Sequence, residues 1–486
     1  MMEDRETMLR RTKIVATVGP ATDDLSVLVD MMHAGLDVVR LNASHGTVDD
    51  RKRRLALVRE AAVRADKCIG VLLDLGGPKI RIEGFRGGKV MLQEGQAFAL
   101  DTELDSRSGT IDAVGVAYKD LPKDVVSGDT LLLNDGQIVL DVERVSATSI
   151  ETRVRVGGEL SDRKGLNRQG GGISAPAISE RDIEDIRFAA EHGIDYVAVS
   201  FARDAADIEQ ARRLLREAGG DGRIVAKIER HEAVDNLSAI IEASDVVMVA
   251  RGDLGVEMGY AELTGLQKTI IQQTRARNRV VITATQMMES MIQNPVPTRA
   301  EVSDVANAVM DGTDAVMLSA ETATGRYPVK AVQSMAQVIE GAEKYQLTHV
   351  RTRHRVEGQF QGTEEAIAMA VMYTANHMKV RAIVALTETG ATPLWMSRIR
   401  SDIPIYAFTR HEATRRRVTI FRGVYPVIFD VTSPNSMDVL YRELFTRLLE
   451  LQLVKKNDLV ILTKGELSGV QGGTNAMLIL KVALEE

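Results

Sequence analysis

Eight short apolar runs punctuate the chain, each ending in a polar or charged residue. They are KIVATVGP from Lys13, DVVRLN from Asp37, GVLLDL from Gly70, YVAVSF from Tyr196, RIVAKIE from Arg223, DVVMVARGD from Asp245, RVVITATQ from Arg279 and DAVMLSAET from Asp314. Unbroken apolar runs of this length predict strands covered on both faces, the setting of a parallel sheet. Helix-like stretches alternate with them, for example over 26–32 and 49–65, and Ser179 stands where an N-cap would open another helix. The predicted class is α/β, with a closed (β/α)8 TIM barrel whose chemistry sits at the carboxyl ends of the strands. Those ends carry Thr17, Arg40, Asn42, Asp74, Ser200, Lys227, Glu229, Arg251, Asp253, Thr285 and Ser319.

The pattern breaks twice. Over 77–173 it becomes short alternating segments separated by turn signals, such as SGDTLLLNDGQIVLDV and SATSIETRVRVGG. This predicts a small β-barrel lid domain inserted after the third barrel strand. After a polar stretch, HVRTRHRVEGQFQGT, strand and helix alternate again to the last apolar run, NAMLILKVALEE. The expected organisation is therefore barrel over 1–76, lid over 77–173, barrel over 174–346 and a C-terminal α/β domain over 347–486, to which the family resemblance given below assigns regulation.

Composition narrows the class. The chain has 486 residues, 44% hydrophobic and 27% charged, with a net charge of −7 spread rather than blocked. That argues against nucleic acid as a partner. No segment approaches the ~18 apolar residues of a membrane helix, so no membrane partner is expected. The opening MMEDRETMLRRTK is too charged for a secretory signal. A single cysteine, Cys68, excludes an internal disulfide framework and fits a cytoplasmic location. Cys68 reads as an inert buried residue, with no candidate base beside it in the sequence.

The strand ends then supply candidate chemistry. Lys227 and Glu229 are two apart on a strand and point the same way. Together they suit a Mg²⁺ ligand beside a charge-stabilising ammonium, with a structural ion pair as the other reading of AKIE alone. In VARGDLGVE, Gly252 admits close backbone approach, the amides of Gly252 and Asp253 can hold an anion, and Asp253 is a second hard-oxygen ligand. Taken alone, that string is also an ordinary turn with a solvated Asp. RLNASHG offers Arg40, suited to bidentate phosphate binding, with Asn42, Ser44 and His45. His45 reads either as a nucleotide contact or as a structural hydrogen-bonding group. Thr285 offers a hydroxyl to a substrate carboxylate, or is there for β-propensity alone.

Taken together, KIVATVGPAT, VVRLNASHG, LDLGGPKIR, KGLN, AKIE, VARGDLGVE, ATQMMESM, PTRAEVSDVANAVMDGTDAVMLSAETATGRYP and the C-terminal GGTN resemble the pyruvate kinase family over nearly the whole chain. The resemblance implies Mg²⁺-dependent transfer of a phosphoryl group from phosphoenolpyruvate to ADP, giving pyruvate and ATP, in a homotetramer. It implies that Arg40 holds the phosphoryl group and Lys227 stabilises its charge and the enolate. Glu229 and Asp253 would bind Mg²⁺, and Gly252, Asp253 and Thr285 would seat the substrate carboxylate. Arg81, Lys164 and His45 would reach the nucleotide, which brings a second Mg²⁺ during turnover. The enolate proton would come from water or a hydroxyl network including Thr285 and Ser319.

Two departures from the family pattern matter. Many members hold K⁺ with the equivalents of Asn42, Ser44 and Asp74, and carry Thr and Glu where Leu75 and Lys79 stand here. The expectation is that the Lys79 ammonium occupies the monovalent-cation position and that K⁺ is not required. In the C-terminal domain, ALTETGATP places Thr387, Thr389, Gly390 and Thr392 in a strand-to-helix loop suited to an effector phosphate, or to an N-capping turn with no ligand. Members activated by fructose 1,6-bisphosphate often have Lys where Glu388 stands. The resemblance therefore points to a monophosphate-activated bacterial-type subgroup, with a phosphorylated sugar or nucleotide monophosphate as effector. The GVQGGTN stretch reads as the C-terminal loop near that pocket. Two other readings stand beside this one: an enolate-handling Mg²⁺ barrel without a nucleotide, and a catalytically silent metabolite sensor of the same fold.

Overall fold

The computed structural model describes residues 9–349, 360, 362–432, 436–465 and 473–483. The opening residues, most of the polar linker and the GVQG part of the C-terminal glycine-rich stretch lie outside the described residues. All eight apolar runs are strands: β1 (Lys13–Thr17), β2 (Val38–Asn42), β3 (Gly70–Asp74), β4 (Tyr196–Val199), β5 (Arg223–Ile228), β6 (Val246–Ala250), β7 (Val280–Ala284) and β8 (Ala315–Leu318). They close into a barrel in the order β1-β8-β7-β6-β5-β4-β3-β2. Their side chains are buried on both faces, as the unbroken apolar runs require: every residue of β1, β3, β6 and β7 is buried.

The helices start where the sequence supplies caps. Thr47 with Asp50, and Ser179 with Asp182, form capping boxes before Val48–Arg64 and Glu180–Glu191. The helix expected at 26–32 runs over Leu25–His33 and is capped by Asp24.

By contacts, the chain divides into two compact units: 1–73, 193–196 and 274–486, and 74–192 with 197–273. The second unit contains the β-rich segment. Its six-stranded sheet orders Leu166–Arg168, Thr130–Leu133, Ile138–Val145, Ser149–Val156, Ala97–Asp101 and Ala113–Gly115. A ribbon of Lys89–Leu92 and Gly158–Ser161 accompanies it, and Phe98, Leu100, Leu131, Leu140 and Ile150 lie in its core. The first unit contains the C-terminal sheet: β9 (Ala382–Leu386), β10 (Ile405–Thr409), β11 (Val424–Ile428), β12 (Leu459–Gly465) and β13 (Thr474–Lys481), ordered β11-β10-β9-β12-β13. The first four are parallel, and β13 runs antiparallel to β12. Among the described residues no helix is long and apolar enough to cross a membrane.

Candidate active site

Buried charge concentrates at the ends of β3, β4 and β5. Lys227, the penultimate residue of β5, directs its Nζ to Ser200 Oγ at 2.6 Å, with Asp74 Oδ1 at 3.4 Å and Glu229 Oε2 at 3.2 Å. Lys227 and Glu229 therefore do share a direction. Ser200 Oγ also reaches the Leu75 carbonyl at 2.8 Å. Ser200 is a link that strand-end position alone flagged but did not explain: it fixes the ammonium. Glu229 is fully buried and accepts at Oε1 from the Phe201 N–H at 2.6 Å, while Oε2 accepts no hydrogen bond. Burial raises its pKa above the ordinary carboxylate value, Lys227 opposes this, and Asp253 and Asp74 raise it further. A buried carboxylate oxygen with no hydrogen-bond donor, facing further acids, is a place for a cation. The hard-oxygen pair Glu229 and Asp253 fits Mg²⁺. Among the described residues no three His, Cys, Asp or Glu side chains cluster as a metal site, so the protein would supply only part of the coordination shell.

The backbone is specialised around this cluster. Phe201 has φ +57°, outside a glycine, which aims its N–H at Glu229. Gly77, at φ +62°, passes so close that a Cβ would lie 2.8 Å from that of Ser200. After β6 the chain turns directly into a helix, Arg251–Met258. Gly252 and Asp253 therefore fall in a first helical turn, where N–H groups and the positive dipole end face an anion. The anion-holding amides are as the sequence suggests, but the helix that carries them is not legible there.

Lys79 pairs with Asp253, Nζ to Oδ1 at 3.2 Å. Asp74, the acid of the expected monovalent-cation position, faces Lys227 at 3.4 Å. Gly165 leaves room for the Lys79 stem, since a Cβ there would lie 3.0 Å from Lys79 Cε. Arg81 and Lys164 are brought together by a short antiparallel bridge, Arg81 to Gly165, with the Ile82 N–H donating to the Lys164 carbonyl at 3.0 Å.

The first unit holds the remaining candidates. Arg40 Nη1 donates to Thr17 Oγ1 at 2.9 Å, and Thr17 Oγ1 donates to the Leu318 carbonyl at 3.0 Å, so Thr17 orients the guanidinium. Asn42 organises its own loop: Oδ1 accepts the Ser44 N–H at 3.0 Å and Nδ2 lies 3.1 Å from His45 Nδ1. Thr285 and Gln286, following β7, have φ of +66° and +52°. Two adjacent non-glycine residues in the left-handed region cost about 1–2 kcal/mol each and mark a segment held for a purpose. Ser319 follows β8, and its N–H donates to Glu321 Oε2 at 2.6 Å, while Glu321 Oε1 accepts the Met288 N–H at 3.1 Å. Glu321 thus ties the loops after β7 and β8, a role the sequence did not reveal because its partners are backbone groups.

The effector candidates follow β9, the strand at which the C-terminal sheet order reverses, where ligand crevices open in such sheets. The Gly390 N–H donates to Thr387 Oγ1 at 2.9 Å and the Ala391 N–H to Thr389 Oγ1 at 3.4 Å. Thr392 Oγ1 meets Thr474 Oγ1 at 2.7 Å. Glu388 pairs with His411 and with Arg410, the latter at 3.3 Å. Cys68 is half-buried and burial pushes its thiol up to about 12, consistent with an inert side chain.

Comparison with known proteins agrees with this geometry. Residues 9–332 match the family model described as pyruvate kinase, barrel domain, and residues 365–480 that described as pyruvate kinase, alpha/beta domain. The chain is 53% identical over 478 residues to pyruvate kinase II of Salmonella typhimurium, covering 98% of this chain and 99% of that protein. It is 50% identical to a pyruvate kinase of Haemophilus influenzae, covering 97% and 99%. A solved pyruvate kinase from Cryptosporidium parvum superposes with a TM-score of 0.89 at 33% identity, covering 98% of this chain and 96% of that one.

Proposed function

The chain belongs to the pyruvate kinase family, and from that premise we propose a cytoplasmic, potassium-independent member activated by a monophosphorylated metabolite. It transfers the phosphoryl group of phosphoenolpyruvate to ADP, giving pyruvate and ATP. The observation that carries the assignment of residues is the buried Glu229 oxygen without a hydrogen bond, 3.2 Å from the Lys227 ammonium.

Transfer of this kind needs positioning and charge neutralisation more than covalent chemistry. Glu229 and Asp253 would hold Mg²⁺, which when bound would supply neutralising positive charge to the transferring group. Lys227, steadied by Ser200, stabilises the phosphoryl charge and the enolate. Arg40, aimed by Thr17, grips the phosphoryl group. The first-turn amides of Gly252 and Asp253, with Thr285, seat the carboxylate. Arg81, Lys164 and His45 serve the nucleotide, and the β-rich segment excludes water that would compete with ADP. Water, or hydroxyls including those of Thr285 and Ser319, protonates the enolate.

Lys79 adds a fixed positive charge to this acid-rich cluster through Asp253, which supports turnover without K⁺. The Thr387–Thr392 loop receives the phosphate of a sugar or nucleotide monophosphate, and a homotetramer transmits the response. The test is pyruvate formation from phosphoenolpyruvate and ADP with Mg²⁺, with and without K⁺ at matched ionic strength. Full rate without K⁺ is expected. A rate that appears only with K⁺ sinks the Lys79 role and leaves the enzyme assignment standing. AMP or a sugar monophosphate should lower the half-saturating phosphoenolpyruvate where a sugar bisphosphate does not.

A further inference from the structure

A second concentration of charge lies in the first unit, where the chain enters β1. Glu343, on the helix Pro328–His349, is fully buried. Its Oε1 accepts from the Thr12 N–H at 2.7 Å and the Thr12 hydroxyl at 2.8 Å, and Oε2 accepts the Arg11 N–H at 2.9 Å. The guanidiniums of Arg11 and Arg422 each stand 3.6 Å from the same carboxylate. One buried acid is therefore shared by two buried guanidiniums and three ordinary donors.

The other partners of these cations are neutral. Arg11 Nη1 donates to the Ser401 carbonyl at 2.7 Å, and its buried Nε makes no hydrogen bond. Arg422 donates to Thr12 Oγ1 and Gln346 Oε1, both at 3.3 Å. A third guanidinium, Arg400, donates to the Met310 carbonyl at 3.0 Å. Burial and Arg11 lower Arg400, with Asp311 opposing. Burial brings Arg422 down to about 10, with Glu343 opposing it ahead of the repulsion from Arg11, and Asp314 ahead of that from Arg400. At Arg400 the repulsion from Arg11 exceeds the pull of Asp311.

These three arginines line a cavity of about 100 Å³ together with Gln346, Asn376 and Ser401, and with Asp402 exposed at its edge. A single water needs roughly 10–15 Å³ by the same measure, so the space admits a group of several heavy atoms. We propose that this cavity binds a phosphate-class oxyanion, either free or as the terminal group of a phosphomonoester whose organic part stays outside. Planar guanidinium forks match tetrahedral oxyanions through paired N–H bonds, and an anion there would relieve the mutual repulsion. Its residues are distinct from the Thr387–Thr392 loop and from every group placed in the catalytic cluster. Arg11 leads into β1, and Arg400 and Arg422 lead into β10 and β11, so an occupant would fasten the barrel's first strand to the C-terminal sheet.

The test uses the full chain, with inorganic phosphate and glycerol phosphate as probes at constant ionic strength and chloride as reference. Calorimetric titration and thermal melting are compared for wild type, Arg400→Gln and Asn376→Leu. Phosphate should raise the wild-type melting temperature saturably. Both variants should keep basal turnover and weaken the phosphate response, Arg400→Gln by about tenfold or more in affinity, on the scale of one charged hydrogen-bonding partner, and Asn376→Leu by about threefold or more, on the scale of a neutral one. Binding sites in the barrel mouth are common to all three proteins, so the difference isolates this cavity. Equal responses to both probes assign the terminal group of a phosphomonoester, and a response to phosphate alone assigns the free anion. An unchanged response in both variants, or no response in wild type, overturns the proposal.

Discussion

The Lys227 cluster at the barrel strand ends and the Thr387 loop of the C-terminal sheet both present phosphate-seeking groups, yet their internal accounts differ. In the barrel, Glu229 keeps a buried oxygen without a hydrogen bond, and Asp74, Asp253, Lys227 and Lys79 crowd within ion-pair distances. In the loop, the Thr387 and Thr389 hydroxyls accept from the loop's own amides, and Glu388 has Arg410 and His411. The first arrangement is electrostatically incomplete and is held by strands buried on both faces. The second is complete by itself and must exchange internal hydrogen bonds for ligand. On the proposed reading the first reacts and the second responds, so substitutions in each should separate rate from regulation.

The largest effect is expected at Lys227. Lys227→Met should lower kcat by about 10²–10³-fold or more, the scale of removing one preorganised charge donor, with the circular dichroism spectrum unchanged. Steady-state assays of pyruvate release read this. Glu229→Gln comes next: the half-saturating Mg²⁺ should rise by at least about tenfold, with kcat falling as well, seen in Mg²⁺ titrations of the rate. Replacement of Lys79 by Glu should make turnover depend on K⁺, with roughly tenfold lower activity in its absence.

Stability should report on the helix that carries Asp253. Glu257, near its far end, is pushed up to about 7, chiefly by burial. The folded chain thus holds this proton more tightly than the unfolded chain. Its contribution is full below about pH 4.5 and is lost as pH rises through about 7, on the order of 3 kcal/mol. Thermal melts of wild type against Glu257→Gln should converge at low pH and diverge above neutrality, with the variant flatter. The smallest effect belongs to the loop. Thr387→Val should leave basal turnover unchanged and abolish activation by a monophosphate, a coupling typically of 1–3 kcal/mol. Basal loss in that variant would erase the distinction between the two regions.

The barrel was legible because unbroken apolar runs such as VVMVA and VVITA can be satisfied only by burial on both faces. Lys227 and Glu229 were legible because strand period 2 fixes their common direction. What escaped depended on contacts distant in sequence or on backbone conformation. Nothing in ATQMM announces consecutive left-handed residues at Thr285 and Gln286. The Ser200–Lys227 link joins positions 27 apart, and Glu321 acts on N–H groups that every residue possesses. Lys79 shows the same limit from the other side: its charge was readable, but its pairing with Asp253, 174 positions away, was not.

The most direct test of the account is an omission assay on the wild-type chain, measuring pyruvate and ATP from phosphoenolpyruvate, ADP and Mg²⁺. The account predicts equal amounts of both products when all three are present and neither product when any one is withheld. Pyruvate formed without ADP would assign the strand-end cluster to an enolate reaction that needs no nucleotide. No pyruvate from the complete mixture, even with monophosphates added, would contradict the central claim and leave a sensor.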